Sequence, residues 1–298
     1  MSVFFLILPD FLLIALGAGL LRWSGLSKAF FQGLESLVYF VLFPALLFRA
    51  LTETNISISQ AYLLFTAAAS LCAVGVALSW LALPVLKPNP LSHASLVQTA
   101  YRFNTYLGLS LATSLGGGAQ TTMAVIVGFS VPLVNIAAVH ALARQQSGLL
   151  KQIVKNPLIL ATTAGLVCNL GNIPIPTPIE TSISRLGAGA LGLGLLCVGT
   201  SLSRSGMQES PSLTAWMATV RLLIMPLAGA IIALLLPLTA LERHVILIFA
   251  ALPTATSAHV LAAQMGGRPQ IVAVTMTITT LLSAITLPAW LTIANAIF

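Results

Sequence analysis

The sequence predicts an all-α polytopic membrane protein, with ten transmembrane helices as two inverted five-helix repeats and with broken, crossing helices 4 and 9. Composition is the first reason, because 58% of the 298 residues are hydrophobic and only 6% are charged. A soluble domain usually carries about 25% charged residues. The second reason is that the apolar stretches are long and continuous. The third is that polar interruptions lie at matching places in the two halves of the chain.

Ten segments are apolar enough to cross a hydrocarbon core of roughly 30 Å as helices of about 20 residues. Their predicted bounds are 3–21, 30–51, 60–86, 92–115, 120–143, 154–170, 180–202, 212–237, 243–266 and 270–297. A transmembrane barrel would alternate apolar and polar residues in segments of about ten residues, and runs such as LILPDFLLIALGAGLL do not alternate. Because the connections are short, residues 1–298 are predicted to form a single transmembrane domain.

The basic residues between the spans predict the orientation of the chain. If the N-terminus lies outside, the loops on the inside contain Arg22, Lys28, Lys87, Arg144, Lys151, Lys155, Arg204 and Arg268. The loops on the outside contain Arg49 and Arg243, with Arg185 arguable. Since cytoplasmic loops carry an excess of Lys and Arg, both termini are predicted on the periplasmic side of the inner membrane. Basic residues scattered in this way form no stripe for nucleic acid, so no nucleic-acid partner is predicted.

A repeated motif indicates that the chain is duplicated. Gly-Gly-x-x-Gln at residues 116–120 recurs at residues 266–270, an offset of 266 − 116 = 150 residues. Because each half would hold five spans, an odd number, the second half must enter the membrane from the opposite side. A duplicated five-span unit is therefore an inverted repeat, with its first copy predicted in residues 1–145 and its second in residues 150–298.

Spans 4 and 9 contain the features that predict a break. Pro253 in span 9 lacks a backbone N–H and clashes with the preceding helical turn. In span 4, the side chains of Asn104 and Thr105 can form hydrogen bonds with the local backbone. Unwound backbone is tolerated at membrane depth only where it is buried in protein or lines a cavity. The two breaks are thus predicted to cross and to form a substrate site, although polar residues here can also simply hold helices together.

The half-helix N-termini at such a crossing carry partial positive charge and free N–H groups, which suit a carboxylate. The residues predicted to bind the substrate are Arg102, Asn104, Thr105, Tyr106, Ser110, Pro253, Thr254, Thr256 and Ser257.

Three titratable side chains near the predicted site allow more than one role. Arg102 either attracts an anionic substrate, pairs with an acid, or extends to the inner face of the membrane. Arg221 in span 8 has the same alternatives. His259 titrates near physiological pH and would suit proton exchange, but a lone histidine is also a common structural residue. No carboxylate lies near the middle of spans 4 or 9, and Glu35 is predicted near the membrane interface.

The remaining reactive side chains predict no catalytic residue, metal site or cofactor. Cys72, Cys168 and Cys197 lie far apart inside apolar segments and are expected to be small core residues. The four histidines are dispersed, and neither an HExxH nor a GxSxG motif occurs. A membrane enzyme would need such a grouping, and a sensor would normally add a soluble output domain. Neither function is therefore predicted.

Several stretches resemble the auxin efflux carrier family of prokaryotic and plant transporters, in its short bacterial form. They are LVYFVLFPALLFRAL in span 2, NTYLGLSLA in span 4, KNPLILATTAGLV in span 6, LGAGALGLGLLCVGTSL in span 7 and ALPTATSAHVLAAQMGG in span 9. The resemblance covers essentially the whole chain. It implies ten helices in two inverted repeats and crossed helices 4 and 9 at the substrate site. It also implies elevator-type movement past a scaffold of helices 1, 2, 6 and 7, with a homodimer formed through helices 2 and 7.

Members of the family look like carriers of small organic anions such as auxin, malate or malonate. Asn104 and Thr105 match the family's Asn-Thr pair in helix 4, and Pro253 matches its helix 9 proline. Phe103 and Ser110 depart from the family, because prolines are frequent at both places, so helix 4 is expected to be less sharply broken. The chain is accordingly expected to be a non-enzymatic secondary transporter of an organic anion in the lipid bilayer. A sodium-coupled symporter of the bile-acid type, which shares the architecture, is the alternative.

Overall fold

The computed structural model describes residues 3–52, 58–143, 157–200, 202, 209–255 and 257–298. Some of the basic residues used to predict the orientation, Arg144, Lys151, Lys155 and Arg204, lie outside these ranges. Within the described ranges the chain is helical, and its β-type pairing is limited to one isolated bridge. An all-α fold is therefore confirmed.

The helices of the described residues follow one another along the chain. They are α1 (Val3–Trp23), α2 (Lys28–Leu37), α3 (Phe43–Thr52), α4 (Ile58–Leu86), α5 (Pro90–Tyr101), α6 (Thr105–Leu115), α7 (Ala119–Ala143), α8 (Pro157–Leu170), α9 (Thr177–Thr200), α10 (Pro211–Thr219), α11 (Met225–Leu235), α12 (Ala240–Ala251), α13 (Ser257–Gln264) and α14 (Pro269–Ile297).

Six helical segments of the described chain are long and apolar enough to cross a membrane. Their bounds are Lys28–Arg49, Ala61–Leu86, Ala119–Leu142, Thr177–Thr200, Pro211–Leu235 and Pro269–Ile297. Large apolar side chains such as Phe40, Leu235 and Ile285 are mostly exposed on the outside of the bundle, where lipid would cover them. The protein is thus a multi-pass helical membrane protein, whereas the arrangement as ten spans in two inverted repeats stays a prediction.

Two of the long spans each contain a wide π-helical turn before a proline. Residues Val38–Leu42 join α2 to α3, and residues Val220–Ile224 join α10 to α11. Pro44 and Pro226 lie two residues beyond these turns, and a proline ring inside a helix clashes with the carbonyl four residues earlier. At the second turn that carbonyl belongs to Leu222, and the indole of Trp290 donates to it at 3.0 Å. The extra residue of the π turn thus accommodates the proline while the span continues.

Glycines let α9 pack closely against its neighbours. A Cβ on Gly199 would overlap the carbonyl of Ile14 in α1, and one on Gly17 would overlap the carbonyl of Leu196. A Cβ on Gly187 would lie 3.1 Å from the Cα of Leu46 in α3. The backbones of α1, α3 and α9 therefore approach each other more closely than larger residues would permit.

Candidate functional site

The predicted breaks in spans 4 and 9 are confirmed, and they lie against each other. Between α5 and α6 the chain is extended at residues 102–104, and between α12 and α13 helical structure stops after Ala251. Phe103 and Thr254 form an antiparallel bridge. The backbone N–H of Asn104 donates to the carbonyl of Pro253 at 2.8 Å. Each linker thus supplies backbone hydrogen bonds that the other has lost, and together the two linkers form what we call the crossing.

Span 4 is interrupted although it lacks the prolines that are frequent in the resembling family; whether the break is less sharp than in those proteins stays a prediction. Arg102 has φ −77° and ψ 134°, which is extended backbone, although Phe103 stands where relatives often have proline. The break does not need that proline because Asn104 caps α6, its side-chain oxygen accepting from the N–H of Leu107 at 3.1 Å. Phe103 is 3% exposed and packs on Phe249, with ring centroids 4.3 Å apart. Capping and pairing with the second linker therefore replace the steric effect of proline.

Arg221 binds the freed carbonyls at the end of α12. Its Nε donates to the carbonyl of Leu252 at 2.6 Å. One terminal nitrogen donates to Phe249 at 3.1 Å and to Ala250 at 2.8 Å. The side chain is 1% exposed, so the alternative in which Arg221 extends to a membrane face is wrong. The last carbonyls of a helix have no partner within the helix, and here a guanidinium supplies one.

A threonine from the second linker performs the same task at the end of α5. The hydroxyl of Thr254 donates to the carbonyl of Thr99 at 2.7 Å, and the backbone N–H of Thr254 donates to the hydroxyl of Thr279 in α14 at 3.4 Å. Thr254 is fully buried. Its position is therefore fixed by contacts with both α5 and α14.

Arg102 is buried at the crossing and bound by neutral groups. Its guanidinium donates to the side-chain oxygen of Gln98 at 3.1 Å, of Asn135 in α7 at 2.9 Å and of Ser257 at the start of α13 at 3.2 Å. The side chain is 7% exposed, so extension to the inner face is wrong. Its hydrogen-bond partners in the described chain include no carboxylate, which leaves pairing with an acid unsupported. A buried cation without an anionic partner is costly in a membrane protein and usually functional.

Asn104 holds an unused hydrogen-bond donor beside this cation. Its side-chain oxygen caps α6, but its side-chain nitrogen is buried and has no partner among the described residues. A buried donor without an acceptor costs about 1–3 kcal/mol. An acceptor such as a carboxylate oxygen would remove that cost.

The other predicted site residues surround the crossing with varying exposure. Pro253 is buried, Thr105, Ser257 and His259 are half-buried, and Ser110 lies one turn beyond Tyr106 in α6. Thr256 lies outside the described residues. The ring of Tyr106 packs edge-on against Phe43 of α3, with centroids 4.6 Å apart. Tyr106 thus links the crossing to the helices beside it.

Some residues near the crossing were missed by the sequence analysis. Gln98 and Asn135 hold Arg102, and both are amides inside apolar spans, which is the signal that marks them. Glu35, predicted near the interface, is half-buried in α2, and Lys28 at the start of the same helix is exposed.

Comparison with known proteins provides independent information about the class. Residues 138–291, just over half of the chain, match the family described as "Membrane transport protein". A protein of Rhizobium meliloti (strain 1021) described as a "Putative malonate transporter" is 25% identical over 296 residues, which cover 94% of this chain and 92% of that protein. An "Uncharacterized transporter" of Methanothermobacter thermautotrophicus is 29% identical over 152 residues, covering 51% of this chain and 50% of that protein.

Proposed function

Because this chain belongs to the auxin efflux carrier family of membrane transport proteins, we propose that it is a secondary carrier for a small organic anion, with a dicarboxylate such as malonate as the leading substrate. The observation that carries the proposal is the buried guanidinium of Arg102, bound only by neutral groups in its described hydrogen bonds and lying at the crossing with the unpartnered amide nitrogen of Asn104. A similar protein described as a malonate transporter supports the choice of substrate.

In this proposal one carboxylate of the substrate binds at the start of α6. The first N–H groups of a helix have no acceptor within the helix, and the helix dipole adds about half a positive charge there. A carboxylate oxygen at this place accepts from the side-chain nitrogen of Asn104 and from the backbone of Thr105 and Tyr106. Arg102 supplies the compensating charge, and Ser110 lies one turn further along the helix.

A second carboxylate of the substrate binds on the other side of the crossing, at the start of α13. The hydroxyl oxygen of Ser257 already accepts a hydrogen bond from the guanidinium of Arg102 at 3.2 Å, which places this helix end beside the cation. Pro253, Thr254 and Thr256 belong to the linker that leads into this helix end. His259 lies in its first turn, and a role in proton exchange is kept as part of the proposal.

The helix bounds support two inverted repeats, in residues 1–145 and 150–298. Helices α5 and α12 begin at residues 90 and 240, and α7 and α14 begin at residues 119 and 269, so that both offsets are 150 residues (240 − 90 and 269 − 119). The first glycine of the repeated motif has a positive φ in both halves, 67° at Gly116 and 63° at Gly266. The inner-membrane location, with both termini periplasmic, belongs to the same proposal.

Transport occurs by elevator-type alternating access, in which the crossing moves past the scaffold formed by α1, the α2–α3 span, α8 and α9. The crossing residues Asn104 and Thr254 are 1% and 0% exposed, so a solute reaches them only when the surrounding helices move apart. A homodimer formed through spans 2 and 7 belongs to the same proposal.

Uptake of radiolabelled malonate into proteoliposomes tests the proposal. We expect malonate counterflow, and we expect unlabelled malate to inhibit it. The rate of counterflow should be equal in sodium and choline buffers. Sodium-dependent uptake would favour the bile-acid type of symporter instead. If a cation or a neutral solute moves while no carboxylate moves or binds, the substrate class is wrong.

A further inference from the structure

We propose that Arg221 is a built-in cation, which fills a site of carbonyl oxygens at the broken end of α12 and thereby makes the crossing selective for anions. The selectivity for anions rests on the proposed function. The occupation of the carbonyl site by the Arg221 guanidinium does not rest on it and is tested separately.

The carbonyl site arises from the break in α12. In an unbroken helix the carbonyl of Phe249 would accept from the N–H of residue 253, but Pro253 has no N–H. The carbonyl of Ala250 would accept from Thr254, whose N–H instead donates to the hydroxyl of Thr279. These two oxygens and that of Leu252 converge on the Arg221 guanidinium, at distances from 2.6 to 3.1 Å.

A convergent set of carbonyl oxygens at the end of a broken helix is a site for a cation. Such oxygens, together with the partial negative charge of about −0.5 at a helix C-terminus, hold sodium in transporters with discontinuous helices. Without Arg221, this end of the crossing would attract a cation and repel a carboxylate. With Arg221, the same end carries a net positive charge and needs no ion from solution.

The first broken helix ends in a related way. Arg102 is the residue that directly follows α5, and its side chain is also buried. At the end of α5 the carbonyl of Thr99 accepts from the hydroxyl of Thr254, whereas at the end of α12 the freed carbonyls accept from Arg221. Arg102 keeps neutral side-chain partners and is available to the substrate, whereas the guanidinium of Arg221 is occupied by backbone carbonyls.

The test is chemical replacement of the missing side chain in purified full-length protein. Arg221→Ala removes the guanidinium and leaves a space at the three carbonyls. We expect the Tm of this variant to fall and to be raised, in a saturable way, by millimolar guanidinium at constant ionic strength. Wild-type protein and Arg185→Ala, which removes an exposed arginine of α9, should show no such increase. An Arg221→Ala protein as stable as wild type, or one unaffected by guanidinium and sodium alike, overturns the proposal.

Transport provides the second readout. In proteoliposomes we expect the KM of Arg221→Ala for malonate to rise about tenfold or more, as expected for lost charge-assisted hydrogen bonds, and to recover when guanidinium or sodium is added. If Arg221→Ala does not fold, Arg221→Lys takes its place, because a lysine ammonium reaches fewer carbonyls. The KM of Arg221→Lys for malonate should then be higher than that of the wild type, with transport still measurable. Wild-type kinetics in Arg221→Lys would contradict the proposal. Guanidinium-dependent stability in a protein that moves no carboxylate would instead overturn the proposed function alone.

Discussion

Asn104 performs two tasks with the two ends of one amide group. Its oxygen caps α6, and its nitrogen is left for a ligand. These tasks can be separated by substitution, because aspartate caps a helix as well as asparagine does but has no donor.

We predict that Asn104→Asp retains the thermal stability of the wild type within a few degrees but loses malonate binding, since a second carboxylate would repel the substrate. Asn104→Ala loses the cap, worth about 1 kcal/mol, but also removes the unpartnered donor, so its stability should change little while its malonate affinity falls about tenfold. Thermal unfolding and calorimetric titration with malonate measure the two effects. Malonate binding by Asn104→Asp at wild-type affinity would exclude Asn104 from the site.

Arg102 allows a similar separation of charge from shape. Arg102→Met removes the cation and should lower malonate affinity by about ten- to hundredfold, the range expected for a hydrogen bond to a charged group. Arg102→Lys keeps the charge and should retain part of the affinity. Equal losses in both variants would mean that Arg102 acts through the packing of Gln98 and Asn135 and not through its charge.

At the scale of single residues, the sequence predicted the local interactions better than the distant ones. The effect of Pro253 follows from its missing N–H, and the capping by Asn104 lies within three residues of its partner. The partner of Arg102 in α7 is 33 residues away, and the partners of Arg221 are 28 to 31 residues away. A single sequence does not show which distant residues form hydrogen bonds with each other. The extension of both arginines to a membrane face therefore remained an alternative.

At the scale of helices, the contact between α6 and α9 is the place where the crossing meets the helices beside it. Gly194 of α9 lies under the ring of Tyr106, and a Cβ at Gly194 would be 2.5 Å from the ring. Gly192, one half-turn away in the same helix, has open space at the corresponding position. The two glycines are thus a matched pair for substitution.

We predict that Gly194→Ala displaces Tyr106 and lowers both stability, by about 1–3 kcal/mol as for other overpacked sites, and the rate of malonate transport. Gly192→Ala should leave the rate unchanged in proteoliposomes. Combining Gly194→Ala with Tyr106→Ala should restore much of the stability, because the second change removes the overlapping ring. Equal effects of the two glycine substitutions would exclude Tyr106 as the cause.

The breaks in the spans were predictable from the sequence, but the turns at Val38–Leu42 and Val220–Ile224 were not. A proline such as Pro44 indicates a kink, yet whether the helix bends or widens depends on which neighbour can satisfy the freed carbonyl. For Pro226 that neighbour is Trp290, 68 residues away from Leu222 in the sequence. The position of the distortion could therefore be predicted from the sequence, but whether the helix bends or widens there could not.

At the scale of the whole molecule, the proposed function implies that the charge of the crossing determines the sign of the transported solute. Of the described charged residues, the arginines at positions 102 and 221 are buried at the crossing, whereas Glu35 is half-buried in the neighbouring helix α2. We predict that uptake of malonate in proteoliposomes is independent of sodium and is inhibited by other small dicarboxylates. Monocarboxylates of similar size should bind more weakly. Inhibition by organic cations would contradict this assignment.

The composition was enough to predict a helical membrane protein, because so few charged residues cannot cover a soluble surface. The class of solute depended on the resemblance of whole stretches to a transporter family. The described structure adds the reason why the two halves need each other at one point, which neither composition nor resemblance contains.

That point is the pairing of Asn104 with Pro253 and of Phe103 with Thr254. Neither half of the polypeptide can complete its own main-chain bonding in isolation, since the acceptors and donors of one break are supplied by the other. Fragments 1–145 and 150–298 produced separately should therefore be degraded, and co-expressed fragments should assemble. We therefore expect the first half to become stable only after the residues around Pro253 have been synthesised and have entered the bilayer.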